Sequence, residues 1–379
     1  MNILEVVDAG VLTTVQDLGR VGYQRYGVPV SGAADPFALR TANLLAGNSP
    51  GDAALEITLV GPRLRLLGTT VVALAGADLS PRLDDATVPT WEPFVAPAGA
   101  TLSFGDARDG VRGYLAIHGG IDVPRVLGSR STNVRLKLGG VEGRPLQAGD
   151  RLAAQGDRSP SSVAARRLAR EDVPVYGHAH ALRVVLGPQD SAFTDQGIRR
   201  FLSSPFVVTG QSDRTGCRLQ GPVIEHATSP DIVSDGIPFG AVQVAGDGMP
   251  MVLLADRGTT GGYTKIATVV SVDLPRLAQA APGDTVTFQR VTVEEAHALY
   301  RSREAMFERL AASPPVIFAR QQLVVTVGGA AVTVETDLEE AVPAPTGAGR
   351  GVQLPPTTLR VSGRSGCFVI DVGIERTGD

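Results

Sequence analysis

Short hydrophobic runs separated by glycine- and proline-rich turns dominate this chain, a pattern typical of β-strands. Runs of this kind occupy positions 71–76, 101–105, 113–119, 183–187, 206–210, 241–246, 251–256 and 266–274. Two further runs, at 323–336 and 367–374, predict strands in the C-terminal tail. The hydrophobic pattern therefore predicts a chain that is mostly β along its whole length.

Helical signals are confined to a few segments. They lie at 35–47, 190–202 and 292–310. Asp35 and Pro36 predict a helix start, because Asp caps helices and Pro suits the first helical position. Asp190 is the expected cap of the second helix, and Thr292 with Glu295 fits a capping box for the third.

Composition and turn residues indicate two β-rich halves. The chain has 379 residues with 45 glycines and 26 prolines, which favours short strands over long helices. Short Gly/Pro motifs recur in both halves, which leaves internal duplication and chance equally open. The segment 158–172 is polar and Ala/Arg-rich, so we interpret it as an exposed connector with a short helix. We predict a first half over 1–157, a connector over 158–180, a second half over 181–290, and a helix and β-like tail over 291–379.

Charge and cysteine content argue against several classes of function. A net charge of −4 without a basic block argues against a nucleic-acid binder. No apolar run approaches the ~20 residues that span a bilayer, and no secretion signal is evident. Cys217 has no nameable partner base, which favours a packed thiol, and His178 and His180 lack a third metal ligand nearby. We expect a cytoplasmic protein with no metal site and no membrane or nucleic-acid partner.

The stretch 234–268 is the best candidate for chemistry, because it combines many glycines with a strand-like run and charged side chains. The N–H groups of a glycine-rich loop at 258–262 can converge on an anion. The candidate catalytic residues are Lys265, Gln243, Arg257 and Asp256, and the candidate substrate- or anion-binding residues are Ser212, Arg214, Thr259, Thr260, Gly261, Gly262 and Asp235. An Asp256–Arg257 ion pair and a solvated Lys265 are the open structural alternatives.

Five separated blocks carry a resemblance to a known family. They read GVLTTVQDLGR at 10–20 with GVP at 27–29 and GAAD at 32–35, GGIDVP at 119–124 with LGSRST at 127–132, GPQD at 187–190, SDRTGCRL at 212–219, and the stretch 234–268. In this order they resemble the allophanate hydrolase subunit 2 family. That family includes KipA, the C-subunit of 5-oxoprolinase, and the carboxyltransferase domain of urea carboxylase.

The resemblance implies a mostly β fold with a few helices, built as two cyclophilin-like β-barrel halves. It also implies the C-subunit of a bacterial ATP-dependent 5-oxoprolinase, an enzyme that cleaves the lactam 5-oxoproline to glutamate. The implied partners are two further subunits, one KipI-like (B) and one of LamB/YcsF type (A), with ATP used in the complex. Two alternatives stay open: a biotin-dependent carboxyltransferase component whose partner carries the biotin, and a KipA-type regulatory binding protein without turnover.

Overall fold

The computed structural model describes residues 2–155, 163–327, 330–341, 357–363 and 366–372. Strands supply most of the regular structure in these residues, which confirms the predicted mostly β fold. The α-helices in the described part are α1 (Pro36–Leu45), α2 (Asp195–Ser203), α3 (Leu274–Ala278) and α4 (Val293–Ala312). Within the same residues, no helix has the length and apolar character required to cross a bilayer.

The first half contains two antiparallel sheets. Its strands are β1 (Asn2–Asp8), β2 (Leu12–Gln16), β3 (Ala54–Thr58), β4 (Arg63–Leu66), β5 (Thr70–Asp78), β6 (Arg82–Leu83), β7 (Ala86–Thr87), β8 (Pro93–Ala96), β9 (Thr101–Ser103), β10 (Asp109–Ile117), β11 (Ile121–Asp122) and β12 (Arg151–Ala154). One sheet has the order β11-β12-β1-β4-β9-β6-β7, and the other has the order β2-β3-β10-β5-β8.

Two hydrophobic cores hold this half together. Alternate residues of β1, β3, β4, β5 and β10 form the first core, which includes Ile3, Leu55 and Leu115. The apolar side of α1 forms the second core with Tyr114 of β10 and Phe307 of α4. The helix therefore packs on the five-stranded sheet and brings α4 onto the first half.

The second half is a closed β-barrel. Its strands are β13 (Ala179–Leu186), β14 (Phe206–Val208), β15 (Gly216–Gln220), β16 (Asp231–Gly236), β17 (Ala241–Val244), β18 (Pro250–Leu253), β19 (Thr260–Val269) and β20 (Thr285–Arg290). They follow the order β13-β20-β14-β15-β18-β17-β19-β16, and a further β13–β19 pairing closes a ring of seven strands. The β16 strand lies outside this ring, paired to β19, and most of its residues are exposed.

The N-cap residues predicted from the sequence are correct for two helices and wrong for one. Asp35 caps α1 by accepting the Ala38 N–H, and Thr292 caps α4 in a capping box, as predicted. The prediction that Asp190 caps a helix is wrong, since it begins only a short 3-10 turn. Thr194 caps α2 instead by accepting the Gly197 N–H.

The predicted exposed connector is partly buried. Val163, Ala165 and Leu168 are almost inaccessible to solvent, because they pack against the strands and helices of the first half. A 3-10 turn at Arg170–Asp172 replaces the predicted short helix, and residues 158–162 lie outside the described residues. The domain boundaries stay a prediction.

The two runs of the tail that predict strands are β-structure where they are described, and each forms part of a β-hairpin. One hairpin pairs β21 (Val316–Val327) with β22 (Ala330–Ala341). The other pairs β23 (Thr357–Gly363) with β24 (Gly366–Val372), within a separate compact unit that begins at Pro343.

Candidate functional site

Lys265 lies on the outer side of the barrel, in β19, the strand to which β16 is paired. Alternate residues of a strand point to opposite faces, and the next residue, Ile266, fills the barrel core. In the β17–β19 ladder, Gln243 stands opposite Lys265. Gln189 also belongs to this group, because its Oε1 accepts the backbone N–H of Lys265 at 3.2 Å. Together with Asp235, these residues form what we call the lysine cluster.

The Lys265 ammonium is buried, but its partner carboxylate is not. Lys265 Nζ lies 2.9 Å from Asp235 Oδ2, and the two side chains are 3% and 54% exposed. The hydrogen bond from Lys265, together with the Gly236 N–H, lowers the pKa of Asp235 below its usual range. Within the described residues the ammonium makes this hydrogen bond, although it can donate three. The ammonium therefore keeps capacity for an oxygen of a bound molecule.

Glycine at position 261 lets two strands approach closely above this cluster. A β-carbon at Gly261 would lie 2.8 Å from Gln243 Nε2 and 2.7 Å from Ile237 Cδ1. A larger residue at position 261 would therefore require the ends of these two side chains to shift.

The glycine-rich segment is a strand rather than an open loop. Thr260, Gly261 and Gly262 belong to β19, and Gly261 pairs with Asp235 of β16. Thr259 precedes the strand, and its carbonyl accepts the Ile237 N–H at 3.1 Å. The expected convergent amide loop is therefore absent at 258–262, because the ladder with β16 organises this backbone.

Arg257 is a buried cation that has backbone oxygens as partners. Its Nε donates to the Ile237 carbonyl at 3.0 Å and its Nη1 to the Leu254 carbonyl at 3.2 Å. Its guanidinium carbon lies 5.2 Å from the centre of the Phe239 ring. Desolvation lowers the pKa of Arg257 to about 10. Among the described residues no carboxylate pairs with it, so an anionic ligand would stabilise its charge.

Arg214 lies instead at the junction of the two halves. It pairs with Glu56 of β3, donates from Nη2 to the Gly32 carbonyl at 2.6 Å, and bonds Asp256 Oδ2 through Nε at 2.8 Å. The predicted alternative of an Asp256–Arg257 ion pair is wrong, since Asp256 pairs with Arg214. Burial opposes a charged Arg214, but the two carboxylates outweigh it and raise the pKa of this arginine.

The carboxylate of Glu56 extends this pairing into a buried network. Its Oε2 accepts the Tyr114 hydroxyl at 2.6 Å and the Ala34 N–H at 2.9 Å. Burial alone would raise the pKa of Glu56, but attraction to Arg214 and Arg112 lowers it overall. The Glu56 carboxylate therefore stays ionised inside the protein.

Gln279 links the same network to the cap of α1. Its Oε1 accepts the N–H groups of Val111 and Arg112 at 3.0 and 2.8 Å. Its Nε2 donates to Asp35 Oδ2 and to the Arg112 carbonyl, both at 2.9 Å. The side-chain amide of Gln279 therefore uses its donors and its acceptor oxygen entirely in hydrogen bonds to the first half. The junction network comprises Arg214, Glu56, Asp256, Tyr114, Asp35, Arg112 and Gln279.

Sequence reasoning missed Arg20, which is 1% exposed. Its Nη2 donates to the Ser131 carbonyl, whereas Nε and Nη1 are buried without a partner among the described residues. Burial lowers the pKa of Arg20, and the nearby carboxylates of Asp17 and Asp256 oppose that lowering. In the sequence, the feature that could have indicated a role for Arg20 is its position after Gly19, at the end of the block that resembles the family's opening.

The remaining candidates have structural partners. Ser212 accepts the Arg218 N–H at 3.0 Å within its own turn. Cys217 is packed in the barrel core, and desolvation raises the pKa of its thiol to about 11, as expected of a packed thiol. His178 and His180 both bond Asp284, at 2.8 and 3.1 Å.

Besides Arg20, the buried cations Lys265 and Arg257 have unused hydrogen-bonding capacity among the described residues. They are linked through Ile237, which contacts Gly261 and accepts the hydrogen bond of Arg257. Each of these buried cations can stabilise a negative oxygen more strongly than it would in water. The arrangement suits binding of a small anion or a reaction in which an oxygen gains negative charge.

Comparisons with known proteins point to one family. Residues 26–290 match the family model described as carboxyltransferase domain, subdomain A and B. The C-subunit of 5-oxoprolinase from Escherichia coli (strain K12) is 38% identical over 309 residues, which covers 82% of this chain and 98% of the relative. Urea amidolyase of Saccharomyces cerevisiae (strain ATCC 204508 / S288c) is 34% identical over 323 residues, 81% of this chain and 18% of that protein. The crystal structure of the K. lactis urea amidolyase is similar with a TM-score of 0.77 and 34% identity, covering 81% of this chain and 20% of that one.

Proposed function

Because this chain belongs to the carboxyltransferase-domain A and B family, we propose that it is the C-subunit of an ATP-dependent 5-oxoprolinase. The observation that carries the proposal is the overlap with 98% of the E. coli 5-oxoprolinase C-subunit. The overlap with yeast urea amidolyase is 18% of that protein, so the similarity to it is confined to one part.

The proposed reaction opens the lactam ring of 5-oxoproline to give glutamate. The proposed partners are the KipI-like (B) and LamB/YcsF-type (A) subunits, and ATP is a co-substrate of the complex. The E. coli relative is itself one subunit of its enzyme, which supports a multi-subunit assembly here. The proposed place of action is the cytoplasm.

The lysine cluster is the proposed reaction site. A lactam carbonyl that is attacked or activated gains negative charge on its oxygen. The buried Lys265 ammonium is placed to stabilise that oxygen, and the Asp235 carboxylate keeps the ammonium oriented. Gln243, opposite Lys265 in the ladder, can bond the neutral amide of the substrate.

Arg257 is the proposed holder of the substrate carboxylate. Its charge has no carboxylate partner among the described residues, and 5-oxoproline carries one carboxylate. Thr259 precedes β19 and Thr260 is its first residue, and both can add hydroxyl donors. Arg214 and Asp256 are proposed to support the site from the junction rather than to contact substrate.

The chain contains a natural control for a test of Lys265. It has two lysines, the buried Lys265 and the exposed Lys137. With the subunits reconstituted, ATP- and 5-oxoproline-dependent glutamate release is measured for Lys265→Met and Lys137→Met. We expect Lys265→Met to lose about 10²–10³ in rate, the effect of losing one oxyanion donor. Lys137→Met should keep the wild-type rate.

A second candidate is a biotin-dependent carboxyltransferase component, which the similarity to urea amidolyase favours. There a carboxyl group would move from carboxybiotin on a partner protein to a urea-type amide. Transfer of labelled carboxylate from carboxybiotin to urea, without glutamate release from 5-oxoproline, would replace the first proposal by this one. Partner binding without either turnover would instead indicate a regulatory protein.

A further inference from the structure

A cleft of about 510 Å³ lies away from the lysine cluster, between α4, α3, β13 and the segment 171–176. This volume is within the range of pockets that hold small organic ligands. No residue of the lysine cluster or the junction network lines it. We call it the arginine cleft, because Arg183, Arg276, Arg303 and Arg309 all line it.

The four arginines come from three elements of the fold. Arg183 is in β13, Arg276 in α3, and Arg303 with Arg309 in α4. Burial lowers the pKa of Arg303, and the neighbouring charges of Arg276 and Arg183 lower it further, against the opposing effect of Asp35 and Asp273. The charges of Arg183 and Arg276 therefore act on Arg303, and all three residues line the cleft.

Three of these arginines lack an ion-pair partner. Arg183 bonds Asp273 at 2.6 Å. Within the described residues Arg276, Arg303 and Arg309 make no ion pair, and the two acids that line the cleft are Glu171 and Asp172. Arg303 is fixed over the Phe37 ring, with 4.4 Å from its guanidinium carbon to the ring centre. Clustered, unpaired guanidinium groups favour a ligand with several negative oxygens.

The lining of the cleft also contains apolar side chains, which we call its apolar wall. Val173, Pro174, Pro275, Leu299 and Met306 all line it. A free inorganic anion would use the arginines but leave this wall without contact. A ligand with both a charged end and an organic body would use both.

We propose that the arginine cleft binds a phosphorylated organic molecule, with its phosphate oxygens at Arg276 and Arg303 and its body against the wall that contains Pro275 and Met306. The inference goes beyond the proposed reaction, because it assigns a second site whose occupancy is measured on this chain alone. Phosphate is the favoured anion because guanidinium groups bind its oxygens through paired hydrogen bonds.

Calorimetric titration of the full chain at low ionic strength tests the proposal with ADP, inorganic phosphate and adenosine as probes. We expect ADP to bind, phosphate to bind at least tenfold more weakly, and adenosine not to bind. Arg276→Gln should weaken ADP binding about tenfold or more, the effect of losing a charged hydrogen bond. Arg276 is exposed, so this variant should fold normally.

The matched control is Arg301→Gln, an exposed arginine of α4 that does not line the cleft. It should bind ADP as the wild type does. Three outcomes would overturn the proposal: no binding of ADP, equal binding of ADP and phosphate, or unchanged binding in Arg276→Gln. Loss of ADP binding in Lys265→Met with retention in Arg276→Gln would place the nucleotide at the lysine cluster and also overturn it.

Discussion

Arg214 and Lys265 are both buried cations of the second half, but the carboxylates that pair with them differ in exposure. Glu56 and Asp256, which pair with Arg214, have side chains 1% and 14% exposed. Asp235, which pairs with Lys265, is 54% exposed. A buried ion pair whose groups are all bonded is costly to break, whereas a charge beside an exposed partner can exchange that partner for a ligand. Arg214 is therefore suited to joining the two halves, and Lys265 is suited to binding a ligand.

Removal of the Arg214 charge should cause the largest loss of stability. Arg214→Met removes the arginine that bonds both Glu56 and Asp256, so we expect the free energy of unfolding to fall by about 3–5 kcal/mol. Urea denaturation of the purified chain measures it. The exposed Arg218, changed to Met, is the control and should stay within about 0.5 kcal/mol. A loss below about 1 kcal/mol in Arg214→Met would show that the junction network does not hold the halves.

The contribution of Glu56 to stability should depend on pH. The pKa of Glu56 is lower in the folded than in the unfolded chain, so its stabilising effect is full above the unfolded value of about 4.3 and is lost as pH falls through the lower folded value. Glu56→Gln should cost about 1–3 kcal/mol at neutral pH. Below about pH 4.3 the variant should lose stability less steeply than the wild type, measured by denaturation at several pH values. Parallel curves would contradict the assignment of Arg214 to Glu56.

The smallest effect on stability is expected at the lysine cluster. Lys265→Met keeps an apolar stem in place, and the exposed Asp235 can return to water, so the loss should be below about 1 kcal/mol. Lys137→Met provides the matched comparison in the same denaturation experiment. A loss as large as that of Arg214→Met would remove the distinction between the two cations and weaken the case for Lys265 as a reactive group.

Local signals in the sequence were sufficient for much of the fold. Asp35 and the Thr292–Glu295 box each act within four residues, so they located α1 and α4 without knowledge of the rest of the chain. Asp190 failed because Asp and Thr are both good caps, and Thr194 four residues later bonds the Gly197 N–H instead. The hydrophobic pattern located five of the eight strands of the second half, namely β13, β14, β17, β18 and part of β19, but it contains no information on the β13–β19 pairing that closes the ring.

The site was less predictable, because its partners are distant in sequence. Arg214 and Glu56 are separated by 158 positions, and nothing local to Arg214 indicates which acid it meets. The spacing of glycines suggested a loop at 258–262, but the pairing of Gly261 with Asp235 makes it part of a strand. The roles of Lys265, Gln243 and Arg257 stay proposals, although the structure brings Lys265 and Gln243 to neighbouring positions.

The hydrogen bonds from Gln279 to the first half can form only late in synthesis. Gln279 accepts the N–H of Val111 from a position 168 residues further along the chain. At ribosomal speeds of about 5–20 residues per second, that interval lasts on the order of 10 to 30 seconds. The nascent first half must spend this time with the amides of Val111 and Arg112 lacking their final acceptor, so a chaperone that recognises unfinished β-sheet edges would have its longest opportunity there.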